Sequence, residues 1–403
     1  MNKRLFEKFL HKINIIYRLS FICNKAAVKE RMREKVKLNG NLMRNRNHVL
    51  EAIKWLKRAQ DFNSDRGISR GYSVGWNDFY QSYGWQRSYP ETTGYIIPTF
   101  FDCAEYFQDQ YLRIRAIEMA DWEIDVQLEN GAVMGGTVDC PPTPAIFNTG
   151  QVMLGFLRAY NETMNEKYLE ASERAARFLV MTQEEEGNWL KWNSVYANTI
   201  STTYNSRVGW ALILHGKYTK NNIYIDAGEK SVKYAISQQN GNGWFKSNCL
   251  TDPRKPLLHT ICYAIEGLLG AYYELNKSEY LKCAILPADH LLDRIQDDGN
   301  ISGRFDANWN GMVKWNCLSG SAQLACILLS LFSITGEPKY QIAARKLLKF
   351  LKSTQNCSTN HEGLRGGIKG SYPFGGEYGR YQTLSWATKF YIDALLLDEK
   401  LMG

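Results

Sequence analysis

The chain has 403 residues, 44% apolar and 13% aromatic, enough for a large folded core. Its nine cysteines are scattered, odd in number and without a C-x-x-C pair, which fits a reducing compartment better than a disulfide framework. The net charge of +8 sits at one end: residues 1–46 hold 13 Lys/Arg against 3 Asp/Glu, so the remainder carries a balance of −2 and shows no nucleic-acid footprint.

Residues 1–46 read as a basic arm ahead of a single domain spanning 47–403. Within the arm, Leu5, Phe6, Phe9, Leu10, Ile13, Ile16 and Tyr17 share one helical face, and Lys8, His11, Lys12 and Arg18 share the other. Such a helix either docks its apolar face on the body of the protein or lies in the inner face of a membrane. Arg18 breaks the apolar stretch and no small-residue cleavage site follows, which argues against a signal peptide. No apolar run reaches the ~18 residues of a membrane span. The expectation is a cytoplasmic protein whose arm can make a peripheral membrane contact.

From residue 47 onward a repeat governs the chain. Gln60, Gln127, Gln183, Gln239, Gln296 and Gln355 are separated by 67, 56, 56, 57 and 59 residues. Five positions before each lies a bulky apolar side chain, namely Trp55, Trp122, Phe178, Tyr234, Leu291 and Phe350. A period above fifty residues points to an array of two-element units. The apolar spacing predicts first helices near 47–60, 111–127, 166–183, 222–239, 279–296 and 338–355. A glycine stop follows each: Gly67, Gly131, Gly187, Gly243, Gly299 and Gly363. Second helices are expected near 90–107, 145–160, 202–217, 257–275, 316–334 and 381–397. These are apolar nearly all round and carry small residues, so they should form an inner ring inside the amphipathic first helices. Six hairpins closed into a ring would bury one continuous core.

The segment Gln183-x-x-x-Gly187-x-Trp189, with the near match Gln239 to Trp244, resembles the repeat of terpenoid cyclases. The whole of 47–400 resembles the (α/α)6 toroids, an all-α class that includes polysaccharide lyases, unsaturated glucuronyl hydrolases and sugar epimerases. Tyr89 to Tyr95 together with Phe147 to Gln151 look like toroid proteins of bacterial exopolysaccharide and capsule loci. The resemblance implies the fold and a glycan as partner; it does not imply one chemistry. Terpenoid cyclisation is set aside because no Asp-x-Asp-Asp acid is present, Asp297-Asp298 being a turn pair. Zinc-dependent members are set aside because paired ligands with recognisable spacing are absent; Cys262, three residues from His259, reads as a small buried thiol. No cofactor and no metal are expected.

In such toroids the cavity opens where the inner helices begin. Register alignment places Thr93, Thr149, Asn205, Cys262 and Ser321 in one slot, and Tyr95, Gln151, Arg207, Ala264 and Gln323 in another. Polar groups on an inner ring must bond one another or await a ligand. Candidate catalytic residues are Glu91, Tyr204, Arg207 and His259, the last read as the one histidine of the inner ring. Each has an ordinary alternative: a helix-capping carboxylate for Glu91, a satisfied core side chain for His259. Candidate binding residues are Arg87, Tyr89, Asn148, Gln151, Asn205, Trp315, Asn316, Gln323, Tyr378, Arg380 and Tyr381. Seven loop tryptophans (Trp76, Trp85, Trp189, Trp192, Trp244, Trp309 and Trp315) either stack sugar rings or pack their own loops. Lyases of this fold use an Asn, His, Tyr and Arg set, and Asn148, His259, Tyr204 and Arg207 offer those residue types. The leading expectation is therefore lyase- or epimerase-like proton abstraction on a uronate glycan of surface-polysaccharide biosynthesis. A hydrolase pairing Glu91 with Asp139, Asp306 or Glu377 is second, and a non-catalytic glycan-binding subunit is third.

Overall fold

A computed structural model describes residues 24–36, 42–193 and 202–402. Its helices are α1 (Lys25–Lys35), α2 (Asn45–Asp61), α3 (Pro90–Phe107), α4 (Gln110–Val126), α5 (Ile146–Thr163), α6 (Glu166–Thr182), α7 (Ser206–Thr219), α8 (Asn222–Ser237), α9 (Leu258–Leu275), α10 (Ser278–Leu292), α11 (Leu318–Thr335), α12 (Pro338–Thr354) and α13 (Ser385–Lys400). The inner helices α3, α5, α7, α9, α11 and α13 each pack on the next, and α13 returns to α3. The fold is an (α/α)6 toroid. Inner helices approach closely where side chains are minimal: a Cβ on Gly155 would lie 2.3 Å from the carbonyl oxygen of Gly94. Although α11 is apolar enough to cross a membrane, it is the fifth inner helix and is mostly buried by the toroid.

The glutamine register has a physical cause. The side-chain amide of Gln183 donates to Gly187 O at 3.0 Å in its own turn and to Ala227 O at 2.9 Å on the next outer helix. Gln127 bonds Gly131 O and Ala171 O in the same way, and Gln239 bonds Gly243 O and Cys283 O. Gln355 bonds Gly366 O and His48 O, which ties the sixth unit to the first and closes the ring. Each amide thus satisfies a carbonyl of its own turn and ties it to a carbonyl within the next outer helix. The glycine of the turn is required by space: a Cβ on Gly187, at φ 92°, would meet Lys230 O at 2.4 Å. Two of the expected stops shift by this criterion. In the sixth unit the left-handed residue is Gly366 rather than Gly363, and in the first it is Arg66 at φ 78° rather than Gly67.

Two features depart from a purely helical reading. The long spacing after Gln60 holds a hairpin, β1 (Gly71–Asn77) and β2 (Ser82–Trp85). β1 also pairs antiparallel with β5 (Gln382–Leu384), which knits the first loop to the sixth, and β3 (Asn316–Cys317) pairs with β4 (Ser371–Tyr372), which ties the fifth loop to the sixth. The last inner helix consequently starts at Ser385 instead of 381. The second feature lies in the segment read as an arm. Helix α1 is capped by Asn24, whose Oδ1 accepts from Ala26 N at 2.9 Å, and it docks on the sixth loop. Lys369 Nζ, itself buried, donates to Glu30 at 2.7 Å and to Glu34 at 2.6 Å. Burial alone would raise the Glu30 pKa, but Lys369 and Arg33 override it and hold the carboxyl at about 2. The amphipathic stretch Leu5 to Arg18 lies outside the described residues.

Candidate active site

The starts of the inner helices converge on a cavity of about 250 Å³. Glu91 and Tyr89 come from the first turn of α3, Phe147 from α5, and Tyr204 from the short 3-10 turn before α7. His259, Thr260 and Tyr263 come from α9, and Trp386 from α13. Loops add Arg70, Leu250, Thr251 and Tyr378. Among these lining residues Glu91 is the one carboxylate. Tyr89 Oη donates to Glu91 Oε2 at 2.5 Å. Burial raises the Glu91 carboxyl to about 7, against the opposing hydrogen bond from Tyr89 and the charges of Arg70 and Arg207. Burial lowers His259 to about 4, with Arg207 reinforcing the shift and a hydrogen bond to Gln323 resisting it. Near neutral pH the cavity therefore holds an uncharged imidazole and a carboxyl close to half-protonated, the two states that acid–base catalysis needs.

The remaining lining is aromatic and ordered. Phe147 sits edge-on to Tyr204 at 5.0 Å and 4.7 Å from Tyr263, centroid to centroid. Trp386 Nε1 donates to Tyr378 Oη at 2.9 Å. Arg70 donates from Nη1 to Gln86 and Gln382 at 3.0 and 2.8 Å, and its guanidinium lies 4.8 Å from the Trp386 ring. Ser385 Oγ donates to Arg70 O at 3.0 Å, so the sheet that pairs β1 with β5 sets Arg70 and Trp386 together.

Of the residues singled out from sequence, Glu91, Tyr204, His259, Tyr89 and Tyr378 line this cavity. The others do not. Arg207 lies beneath it, buried, where it ion-pairs with Glu266 and donates from Nε to Gln151 Oε1 at 2.5 Å. Gln151, Arg207 and Gln323 thus belong to a polar layer in which ring residues bond one another. Asn148 donates to Met134 O at 2.8 Å, Asn205 to Asn193 at 3.0 Å, and Asn316 to Asn300 at 3.1 Å, all holding loops. The first aligned slot serves the same end: Thr93 and Thr149 each accept, at 3.0 Å, a backbone N–H from the preceding loop, and Thr388 does the same on α13. Arg87 and Arg380 are exposed. Tyr381 is buried against Phe374 in a small second core with Ala27 and Val74. Trp315 packs on Gly303 and Gly376.

None of the seven loop tryptophans lines the cavity. Trp85 packs on Trp55 at 5.0 Å, Trp309 stacks on His290 at 5.5 Å, and Trp189 is fully buried with its N–H on Leu179 O. Long aromatic loops here pack themselves. Asp139 accepts from Thr137 and Asp306 organises the turn through Asn310, so neither pairs with Glu91, and Glu377 is exposed. Nor is His259 alone in the inner ring: His215, near the end of α7, bonds Ser172 at 2.9 Å and Glu173 at 2.8 Å. Arg70, Phe147, Leu250, Thr251, Thr260, Tyr263 and Trp386 were absent from the sequence-derived set. Tyr263 and Trp386 lie within or next to the slots that aligned the units; Arg70 lies in the inserted hairpin, which no other unit repeats.

Residues 117–208 match the family model for the D-glucuronyl C5-epimerase C-terminus. That span includes two cavity residues, Phe147 and Tyr204. The fold is similar to solved unsaturated glucuronyl hydrolases. One, specific for heparin, superposes with a TM-score of 0.70 at 17% identity, over 89% of this chain and 97% of that one. Another, from Bacillus sp. GL1 and responsible for degradation of glycosaminoglycan, gives 0.66 at 17% identity over 87% and 96%. That of Streptococcus agalactiae gives 0.62 at 15% identity over 90% and 94%. No curated protein matches the chain.

Proposed function

We propose that the protein is a uronate-processing enzyme that removes and returns the proton at C5 of a glucuronate-type sugar. The observation that carries this reading is the placement of neutral His259 and of Glu91, with a pKa of about 7, in one small cavity. His259 takes the C5 proton, and the electron pair of the broken C–H bond moves into the sugar carboxylate. Arg70 supplies positive charge where that negative charge grows. Glu91, in its protonated form, delivers a proton to C5 from the other face, which inverts the centre; the reverse reaction or solvent resets both groups. The aromatic walls of Phe147, Tyr204, Tyr263 and Trp386 exclude water and pack on the ring. The epimerase family match over 117–208 supports the choice of C5 as the reacting carbon.

Similarity to unsaturated glucuronyl hydrolases favours a second reading on the same residues, in which Glu91 protonates the double bond of an unsaturated uronate and water adds. Hydrolysis by a pair of carboxylates is not favoured, because Glu91 is the one carboxylate of the lining. The setting we infer is the cytoplasm, in assembly of a surface polysaccharide, on the strength of the segments Tyr89 to Tyr95 and Phe147 to Gln151. Incubation with glucuronate-containing oligosaccharides in D2O tests the reading. Epimerisation gives deuterium at C5 without chain cleavage, elimination raises the ultraviolet absorbance of an unsaturated product, and hydration of an unsaturated end consumes it. Failure of all three, with glycan still bound, would mark a binding protein.

A further inference from the structure

His259 Nδ1 lies 2.5 Å from Gln323 Oε1. Its other nitrogen, Nε2, has no protein partner among the described residues, and the ring lines the cavity. Which nitrogen carries the proton is decided one residue further away. Gln323 Nε2 donates to Glu266 Oε2 at 3.1 Å, and the same oxygen accepts from Arg207 Nη1. Ion-paired with Arg207, the Glu266 carboxylate has no proton to donate, so it faces the amide NH2 of Gln323, which turns the amide oxygen toward His259. Nδ1 must then be the donor.

We propose that Gln323 and Glu266 are positioning residues that lock His259 in the tautomer protonated on Nδ1, so that Nε2 presents its lone pair to the substrate cavity. The inference rests on the acid–base reading of the cavity and adds to it the device that makes His259 a base. The chain runs through three inner helices: α9 carries His259 and Glu266, α11 carries Gln323, and α7 carries Arg207. None of these partners except His259 touches the cavity. The lock also explains why Arg207, an attractive catalytic candidate by sequence, is spent on Glu266 and Gln151. Other groups around the imidazole offer no competing acceptor for Nδ1. Tyr263, Tyr378 and Phe390 meet it through their rings at 4.4, 5.6 and 6.2 Å, Arg207 acts on it through charge, and Glu91 and Arg70 belong to the lining of the same cavity.

The test reads the tautomer directly. The full chain is labelled with 13C and 15N at histidine, and the signal of His259 among the six histidines is assigned with His259→Gln. In the wild type the ring should be neutral at pH 7 and protonated on Nδ1. Gln323→Leu removes the acceptor and should shift His259 toward the Nε2-protonated form. It should lower kcat for C5 proton exchange by about 10²-fold or more while KM moves only a few fold. Gln323→Glu keeps an acceptor and should retain the Nδ1 tautomer and measurable turnover, with the acidic limb of the pH profile moved upward by the added negative charge. Glu266→Gln, which preserves volume, should loosen the amide orientation and populate both tautomers; it serves if the leucine variant does not fold. A wild-type His259 protonated on Nε2, or a Gln323→Leu protein that keeps the Nδ1 form, overturns the proposal. A correct tautomer that shifts as described, in a protein that exchanges no C5 proton, would support the lock and overturn the epimerase reading instead.

Discussion

The toroid is hollow from both ends, and the two hollows differ in kind. The cavity under the loops is about 250 Å³ and holds one carboxylate, one histidine and a wall of aromatic rings. The hollow at the opposite end, where the inner helices finish, is about 880 Å³ and is lined by Asp102, Arg207, Glu266, Lys389 and Asp393 among others. The larger space carries more charge, and its most buried charges are matched. Asp102 pairs with Arg158 at 2.8 Å, Lys389 with Asp393 at 2.5 Å, and Arg207 with Glu266. At the loop end, burial without a matching ion pair drives Glu91 up and His259 down. Burial raises Asp102 and Glu266 at the rear as well, but those carboxyls have an arginine partner; perturbed groups without an ion pair mark the front, and those are the features that chemistry uses.

The sharpest way to break this contrast is to change one carboxylate at each end. Glu91→Gln keeps shape and removes the proton donor, so turnover should fall about 10²–10⁴-fold. Asp393→Asn at the rear should leave turnover within about threefold, since a group remote from the reacting atoms makes no transition-state contact. Equal losses in steady-state assays would erase the distinction between the two hollows.

The pH profile should carry the same signature. The base works when His259 is neutral, so activity is lost as pH falls through about 4. The acid works when Glu91 is protonated, so activity is lost as pH rises through about 7. The optimum should lie between these limits, and Glu91→Gln should abolish the alkaline limb. A profile that keeps rising above pH 8 would assign the acid elsewhere.

A smaller effect separates the toroid from its docked helix. Removal of residues 1–23 leaves α1 and its partners in place and should not alter folding. Removal of 1–36 exposes Lys369 without Glu30 and Glu34 and uncovers Ala27's neighbours Val74 and Phe374. Loss of one side of a buried pair typically costs about 3–5 kcal/mol, and the affected loop carries Tyr378. Thermal unfolding of the two truncations should therefore diverge, with catalytic loss in the longer one. The Glu30 contribution is present above the ordinary carboxylate pKa of 4.5 and disappears as pH falls through about 2.

The smallest predicted effect concerns the repeat. Gln183→Leu removes the side-chain donor to Gly187 O and Ala227 O and should destabilise by about 1–3 kcal/mol. Gln238→Leu, one residue out of register and bonded only to Ser237, should change stability by less than about 0.5 kcal/mol.

The fold was legible because the same physical problem, tying the turn after an outer helix to the next outer helix, is solved by the same residue in unit after unit. A periodic solution leaves a periodic trace. The site was legible only where it follows that period: Glu91, Tyr204 and His259 stand at inner-helix starts. Arg70 was hidden because it is brought in by strand pairing between the first and sixth loops, which has no counterpart in other units. Arg207, Gln151 and Gln323 were correctly marked as unusual for a core, but a polar residue that bonds a neighbouring ring member looks the same in sequence as one that awaits a ligand. The loop tryptophans misled for the same reason, since packing and stacking demand the same side chain.

The most direct measurement of the central claim is deuterium entry at C5 of a glucuronate-containing oligosaccharide in D2O, compared between the wild type and His259→Gln. The account predicts C5 deuterium in the wild type, with both epimers recovered and the glycosidic bonds intact, and a loss of about 10²-fold or more in the variant. C5 deuteration that proceeds at the wild-type rate without His259 would contradict it.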